Sequence, residues 1–288
     1  TLFRSLFFGS LYRDVWTAPV RVPVLRMDTV FGGLTVKRMG GGMQTRSLRL
    51  KAANGHDYVA RTIRKYPGMA LAPSLRGTLV EAVVADGIAG SHPYSSVVIG
   101  HLADAVGVLH TSPVLVHVPD DPALGAYRAE FANTLCLLEE RTSGDWSDTP
   151  ALGAASELVS SADVIANVRQ DPNARVDALA LVRARLFDMV IGDWDRHDDQ
   201  WRWAAYTADG RTTYKPVPRD RDQAFFKQNG IIPNIVNRKW AMAKFQSFGP
   251  DIRDIDGQNF NARFLDRAYL TEPDAAVWQR IADSLRTE

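Results

Sequence analysis

The chain has 288 residues, 45% of them hydrophobic and 23% charged, which are globular proportions that exclude disorder and several independent domains. Lys+Arg 34 against Asp+Glu 33 leaves a net charge of +1, so no global field recruits nucleic acid or an anionic membrane, and any partner has to be found locally. No window approaches the roughly 18 apolar residues needed to span a bilayer, which excludes membrane insertion of this segment.

The sequence starts at Thr1, and the apolar stretch from Leu2 to Phe8 is too short, and too interrupted by Arg4, for a signal peptide. It reads as an excised or processed piece whose upstream part is missing. Residues 1–29 form a lead-in segment without a clear period. From Leu34 to Arg38 the pattern predicts a strand, Gly40-Gly41-Gly42 a turn, and Thr45 to Leu50 a second strand. Asn54-Gly55 is a hairpin signal that leads into a third strand from Tyr58 to Ile63. Helices are predicted near Leu79 to Ile88 and His101 to Leu109, then short strands at Val114 to Val118 and Leu135 to Leu138. A polar connection from Leu137 to Gly144 places a lobe boundary near residue 140. Beyond it, Asp177 caps a helix on which Leu179, Val182, Leu186 and Val190 recur at helical spacing, and Gly192 stops it. An acidic, tryptophan-rich loop, a hairpin at Asp209-Gly210 and a strand from Thr212 to Val217 follow. The remainder reads as helices joined by polar loops.

The informative segment is Ile191-Gly192-Asp193-Trp194-Asp195-Arg196-His197-Asp198-Asp199-Gln200, where a helix delivers clustered carboxylates and an imidazole into one loop. Clustered like charges raise one another's pKa or gather a cation, and Mg²⁺ prefers oxygen ligands. A second acidic pair, Asp220 and Asp222, stands at the end of a predicted strand, so two clusters joined by a hairpin would make a two-sided metal cradle. The competing reading is a solvated loop whose carboxylates pair with Arg196, Arg202, Arg219 and Arg221. A glycine-turned hairpin, a third strand carrying a cation, a helix, a hinge and then two acidic sites is the order of parts used in kinase-type phosphoryl transfer. In that scheme a metal-binding side chain follows the catalytic Asp by five positions, which from Asp195 gives Gln200.

At these residues the chain resembles the atypical kinases of the HipA, CotH and secretory-pathway (Golgi casein-kinase-like) group. Leu186-Phe187-Asp188-Met189-Val190-Ile191-Gly192-Asp193-Trp194-Asp195-Arg196-His197 looks like that group's helix and its Ile-Gly-Asn-x-Asp-Arg-His loop. The stretch from about Ser47 to Leu265 is also similar to a bacterial family in which such a domain lies beside metallophosphatase or outer-membrane-barrel modules. The resemblance implies an α+β, bilobal atypical protein-kinase-like fold, with a small antiparallel-sheet N-lobe over residues 30–140 and a mainly helical C-lobe over 141–288. It implies ATP or another nucleotide, and Mg²⁺ or Mn²⁺, as cofactors. Asp195 would take the catalytic-base role, His197 would brace the loop, and Gln200 would hold the loop metal position. Asp220 would hold the metal, with Asp222 its competitor, because Arg219-Asp220-Arg221-Asp222-Gln223-Ala224-Phe225 is similar to the group's Asp-x-Asp-x-x-Phe phrases. Arg61, Lys65, Gly41, Glu81, Asp86 and Glu139 would contact the nucleotide or the cation that holds it. The acceptor would be a protein or glycan hydroxyl, and the accompanying modules imply an extracytoplasmic location, with a cytoplasmic one left open.

The chain departs from the group in carrying Arg61 where kinases place Lys, with Lys65 four residues on; Arg binds phosphate through its planar fork but differs in reach. Glu81 and Asp86 are alternative partners for that cation, and Gly40-Gly41-Gly42 lacks the GxGxxG form. Trp194, Trp201 and Trp203 suit core packing more than stacking on a sugar or base. His92, His101, His110 and His117 lack a zinc-ligand spacing. Cys136, the only cysteine, excludes an intramolecular disulfide and falls on an apolar strand, as a core residue does. Two other functions stay open on these residues: a pseudokinase-like nucleotide-binding module, and a metal-dependent phosphohydrolase.

Overall fold

The computed structural model describes residues 6, 7, 9, 11–41, 44–66, 68, 71–231 and 243–287, so Gly42 and most of the stretch from Leu2 to Phe8 lie outside the described residues. The chain is α+β and divides into two compact units, one of residues 12–97 with 112–141, the other of residues 1–11, 98–111 and 142–288.

In chain order, the first unit contains α1 (Arg13–Thr17), β1 (Leu34–Gly41), β2 (Arg46–Ala52), β3 (Asp57–Thr62) and α2 (Leu79–Gly87). It also contains the start of α3 (Ser95–Ala105), then β4 (Val114–Val118), α4 (Arg128–Phe131) and β5 (Thr134–Glu140). The strands form an antiparallel sheet in the order β1-β2-β3-β5-β4. Local chemistry fixes the register of β2 on β3: Gly55 takes φ 94, and the Asn54 side chain accepts the His56 N–H at 3.0 Å, which closes the turn. Alternation then turns Tyr58, Ala60 and Thr62 inward on β3. The predicted helix at His101 to Leu109 begins six residues earlier, at Ser95, and Gly107 in a left-handed conformation (φ 64) follows its end.

Cys136 lies in the core of this unit at 0% exposure, and burial pushes its thiol up to about 11. Because the thiolate is the nucleophile, iodoacetamide at pH 8 is expected to label the native chain no faster than it unfolds, whereas the denaturant-unfolded chain reacts at the rate of a free cysteine. Rapid stoichiometric labelling of the folded protein would contradict this placement.

The second unit contains β6 (Leu158–Ser160), α5 (Ser161–Gln170), β7 (Ala174–Val176), α6 (Ala178–Val190), β8 (Trp201–Ala208), β9 (Arg211–Pro218), α7 (Ile255–Gln258), α8 (Arg263–Tyr269) and α9 (Ala275–Leu285). Besides the expected helices it has a sheet in the order β6-β8-β9-β7, with β7 parallel to β9. The β8–β9 hairpin turns at Asp209 and Gly210, whose φ values of 50 and 72 suit the right-handed twist of the strands. On α6 the Asp177 carboxylate accepts the Ala180 N–H at 3.0 Å, the cap expected from the sequence. The inward face differs from the expected apolar stripe: Leu179 and Val190 are 53% and 66% exposed, while Leu181, Val182, Ala184 and Phe187 are buried together with Arg185 and Asp188. Two charged residues thus occupy the inner face, which hydrophobic spacing alone does not anticipate. Trp201 and Trp203 are fully buried among Val164, Leu181, Phe187 and Leu265, so they are core residues.

Candidate active site

The site grows from the C-terminal end of α6. Gly192 takes φ 67, and a Cβ there would meet the Phe248 ring at 3.0 Å, so glycine lets the chain leave the helix at this point. The Asp193 N–H then turns back to the Asp188 carbonyl at 2.9 Å, and Asp193 is directed into the interior with 2% exposure. Two residues on, Asp195 comes back toward solvent with its side chain 27% exposed. Its Oδ1 accepts a hydrogen bond from Asn261 Nδ2 at 2.8 Å and lies 4.0 Å from His197 Nε2. His197 is the more exposed partner, and its Nε2 stands 3.3 Å from Gln200 Nε2.

The β8–β9 hairpin carries the second acidic segment back to this loop. The Arg219 N–H donates to the Gln200 carbonyl at 3.0 Å, and Arg196 Nη2 donates to the Arg219 carbonyl at 2.7 Å. These bonds tie the Gln200 backbone and the Arg196 side chain to Arg219, the residue before Asp220. Within the acidic segment Arg221 is buried, while Asp220 and Asp222 are partly exposed on either side. Asp220 takes φ 57, a left-handed conformation that a non-glycine residue holds at a cost of about 1–3 kcal/mol and that recurs at functional sites.

Behind this surface lies a buried ionic network. Arg185 donates to Asp188 at 2.7 Å, to Asp266 at 2.8 Å and to Asn259 at 2.6 Å. Arg221 Nη1 bonds Asp188 and reaches Asp193 Oδ2 at 3.3 Å, and Arg196 Nη1 stands 3.6 Å from the same oxygen. Burial pushes the Asp193 carboxyl above its ordinary value against the pull of Arg196 and Arg221, and burial likewise pushes Arg196 down. The ion-pair reading of the loop therefore holds for Asp193 with Arg196 and Arg221. Arg202 and Arg219 donate to the Asp199 carbonyl.

Among the described residues no three His, Cys, Asp or Glu side chains converge as a metal-holding group, so a cage made of protein alone does not fit. Mg²⁺ is commonly held by one or two carboxylates with the remaining positions filled by phosphate and water. Asp220 and Asp222 are partly exposed oxygen donors of that kind, on a segment whose Arg219 N–H bonds the Gln200 carbonyl.

In the sheet unit the other expected residues are spread over several elements. Arg61 on β3 pairs with Glu139 on the neighbouring β5 at 3.6 Å. Asp86 on α2 takes Arg13 in a two-pronged pair at 2.9 and 2.7 Å. Glu81 accepts the Gly77 N–H at 2.6 Å. Gly41 ends β1 where a Cβ would stand 2.5 Å from the Thr45 carbonyl, so glycine is required there by the backbone itself. Lys65 is partly buried just after β3. Sequence reasoning missed Asn261 and Asp266, whose roles depend on contacts across more than sixty positions of chain, and Asp188, which reaches Arg221 thirty-three positions away.

No family model and no curated protein matches the chain. Three solved structures are similar to it at 13% identity. A Helicobacter pylori proinflammatory kinase, CtkA, aligns over 74% of this chain and 62% of its own with a TM-score of 0.31. The Rio2 kinase of Chaetomium thermophilum, in complex with ADP/Mg²⁺ and phosphoaspartate, aligns over 86% of this chain and 60% of its own with a TM-score of 0.39. WaaP in complex with acyl carrier protein aligns over 88% of both chains with a TM-score of 0.32. The chain thus spans less than two thirds of the CtkA and Rio2 chains, and at these TM-scores the functional argument rests on its own residues.

Proposed function

We propose that the chain is an atypical-kinase-type phosphotransferase that moves the γ-phosphate of ATP to a protein or glycan hydroxyl. The observation that supports this reading is the bonding of Arg219 to Gln200 and Arg196, which ties the residue before Asp220 to the loop that carries Asp195. Asp195 is the base: held at one oxygen by Asn261, it accepts the hydroxyl proton as the acceptor oxygen bonds to the γ-phosphorus and the bond to the ADP oxygen breaks. A divalent cation, when bound, would offset phosphate charge, and Asp220, Asp222 and Gln200 are the residues that would hold it. His197 would brace Gln200.

Thermal unfolding with ATP and Mn²⁺, together and singly, tests this reading. At a hundredfold excess over Kd the pair is expected to stabilise the fold by about 2.7 kcal/mol, with neither alone matching it. No stabilisation by any nucleotide would sink the proposal. Binding without transfer to any hydroxyl would favour the nucleotide-binding module, and phosphoester hydrolysis without a labelled acceptor would favour the hydrolase.

A further inference from the structure

We propose that Asp188 and Arg221 are positioning residues that set the orientation of the Asp220–Asp222 carboxylates, which rests on the phosphotransferase reading above. Neither is placed to touch substrate: Asp188 is 0% exposed on the last turn of α6, and Arg221 is 5% exposed. Arg221 stands between the two partly exposed aspartates, so drawing its guanidinium inward to Asp188 and Asp193 fixes the backbone from which both carboxylates project. Asp193 also engages Arg196, and Arg196 holds the Arg219 carbonyl. One continuous chain of contacts therefore runs from α6 through the Asp195 loop to the acidic segment.

The network is poorly matched for stability alone. Among the described residues Arg221 Nε and Nη2, Arg196 Nη1 and Asp193 Oδ1 are buried without a hydrogen-bond partner. Buried ion pairs of this kind are often replaced by well-packed apolar side chains without loss of stability, so what the charges supply here is geometry rather than cohesion. Asp188 holds two arginines at once, Arg185 with Nη1 at 2.7 Å and Arg221, which makes it the junction between the helix and the acidic segment.

The test compares Arg221→Met, Arg221→Lys and the double variant Asp188→Asn with Arg221→Met, read by near-ultraviolet circular dichroism and by the Mn²⁺ midpoint for ATP-dependent thermal stabilisation. Met keeps the apolar stem, and the double variant also removes the Asp188 charge opposite Arg221, leaving Asp193 with Arg196. The expected result is a retained fold, a Mn²⁺ midpoint raised at least tenfold in both Met variants, and partial recovery in Arg221→Lys, with kcat falling more than KM rises where transfer is measured. A folded Arg221→Met with the parent's Mn²⁺ midpoint would overturn the positioning role and leave the phosphotransferase reading standing. If all three variants unfold, the network is structural and the proposal is overturned. If the parent itself shows neither metal-dependent stabilisation nor transfer, the phosphotransferase reading fails first and takes this one with it.

Discussion

Replacing Asp195 by alanine is expected to lower phosphate transfer by about 10²–10⁴-fold, the range that a positioned general base contributes. The effect should fall on kcat, because the carboxylate acts on the proton released as the new bond forms. Stability should stay within about 0.5 kcal/mol of the parent, since the side chain is partly exposed and gives up one hydrogen bond, from Asn261. Asp220→Ala should be as damaging to transfer through loss of metal affinity. Asp209→Ala, at the tip of the β8–β9 hairpin, should leave transfer unchanged and controls for a general loss of carboxylate charge. Parent-like turnover by Asp195→Ala in a radiolabelled phosphate assay would remove the base from the scheme.

Trp203→Ala should have the largest effect on stability, a loss of about 3–5 kcal/mol in urea unfolding. The indole is 0% exposed, its N–H donates to Ser161 Oγ at 3.0 Å, and its ring lies 6.2 Å from Trp201 and 6.1 Å from Tyr269. Removing it leaves a cavity in the second unit's core and takes one donor from the Ser161 hydroxyl, which keeps its own bond to the Asp198 carbonyl. Because a domain has only about 5–15 kcal/mol in hand, the change would consume a large share of it. Trp194 gives the contrasting case: it is partly exposed, edge-on to Phe245 at 4.7 Å, with Lys244 Nζ 5.2 Å from its ring, so Trp194→Ala should cost less. If Trp203→Ala costs under about 1 kcal/mol, that indole is not the core residue its burial indicates.

These two residues also mark what the sequence could and could not disclose. Elements built on local signals were legible: Asn54-Gly55 between β2 and β3, Asp177 at the head of α6, and Asp209-Gly210 between β8 and β9. β6 and β7 were not, because three residues are too few to show a period. The stripe expected on α6 met the inner face at Val182 but not at Arg185 and Asp188, which are buried by pairing with Asp266 and Arg221 elsewhere in the chain. At the site, the loop and the acidic segment could be named from spacing. The division of labour among the aspartates could not, since Asp193 and Asp195 differ by two positions yet one is sealed inside and the other meets solvent. Arg61 finds Glu139 on a neighbouring strand, a pairing set by sheet register.

The left-handed backbone at Asp220 has a bearing on how this segment tolerates change. Glycine is the replacement that would relax the chain there, so improving the fold and keeping the carboxylate pull in opposite directions. A library selected for heat resistance alone should enrich glycine at 220, while one selected for phosphate transfer should return aspartate, and sequencing the two pools would show which pressure has shaped the position.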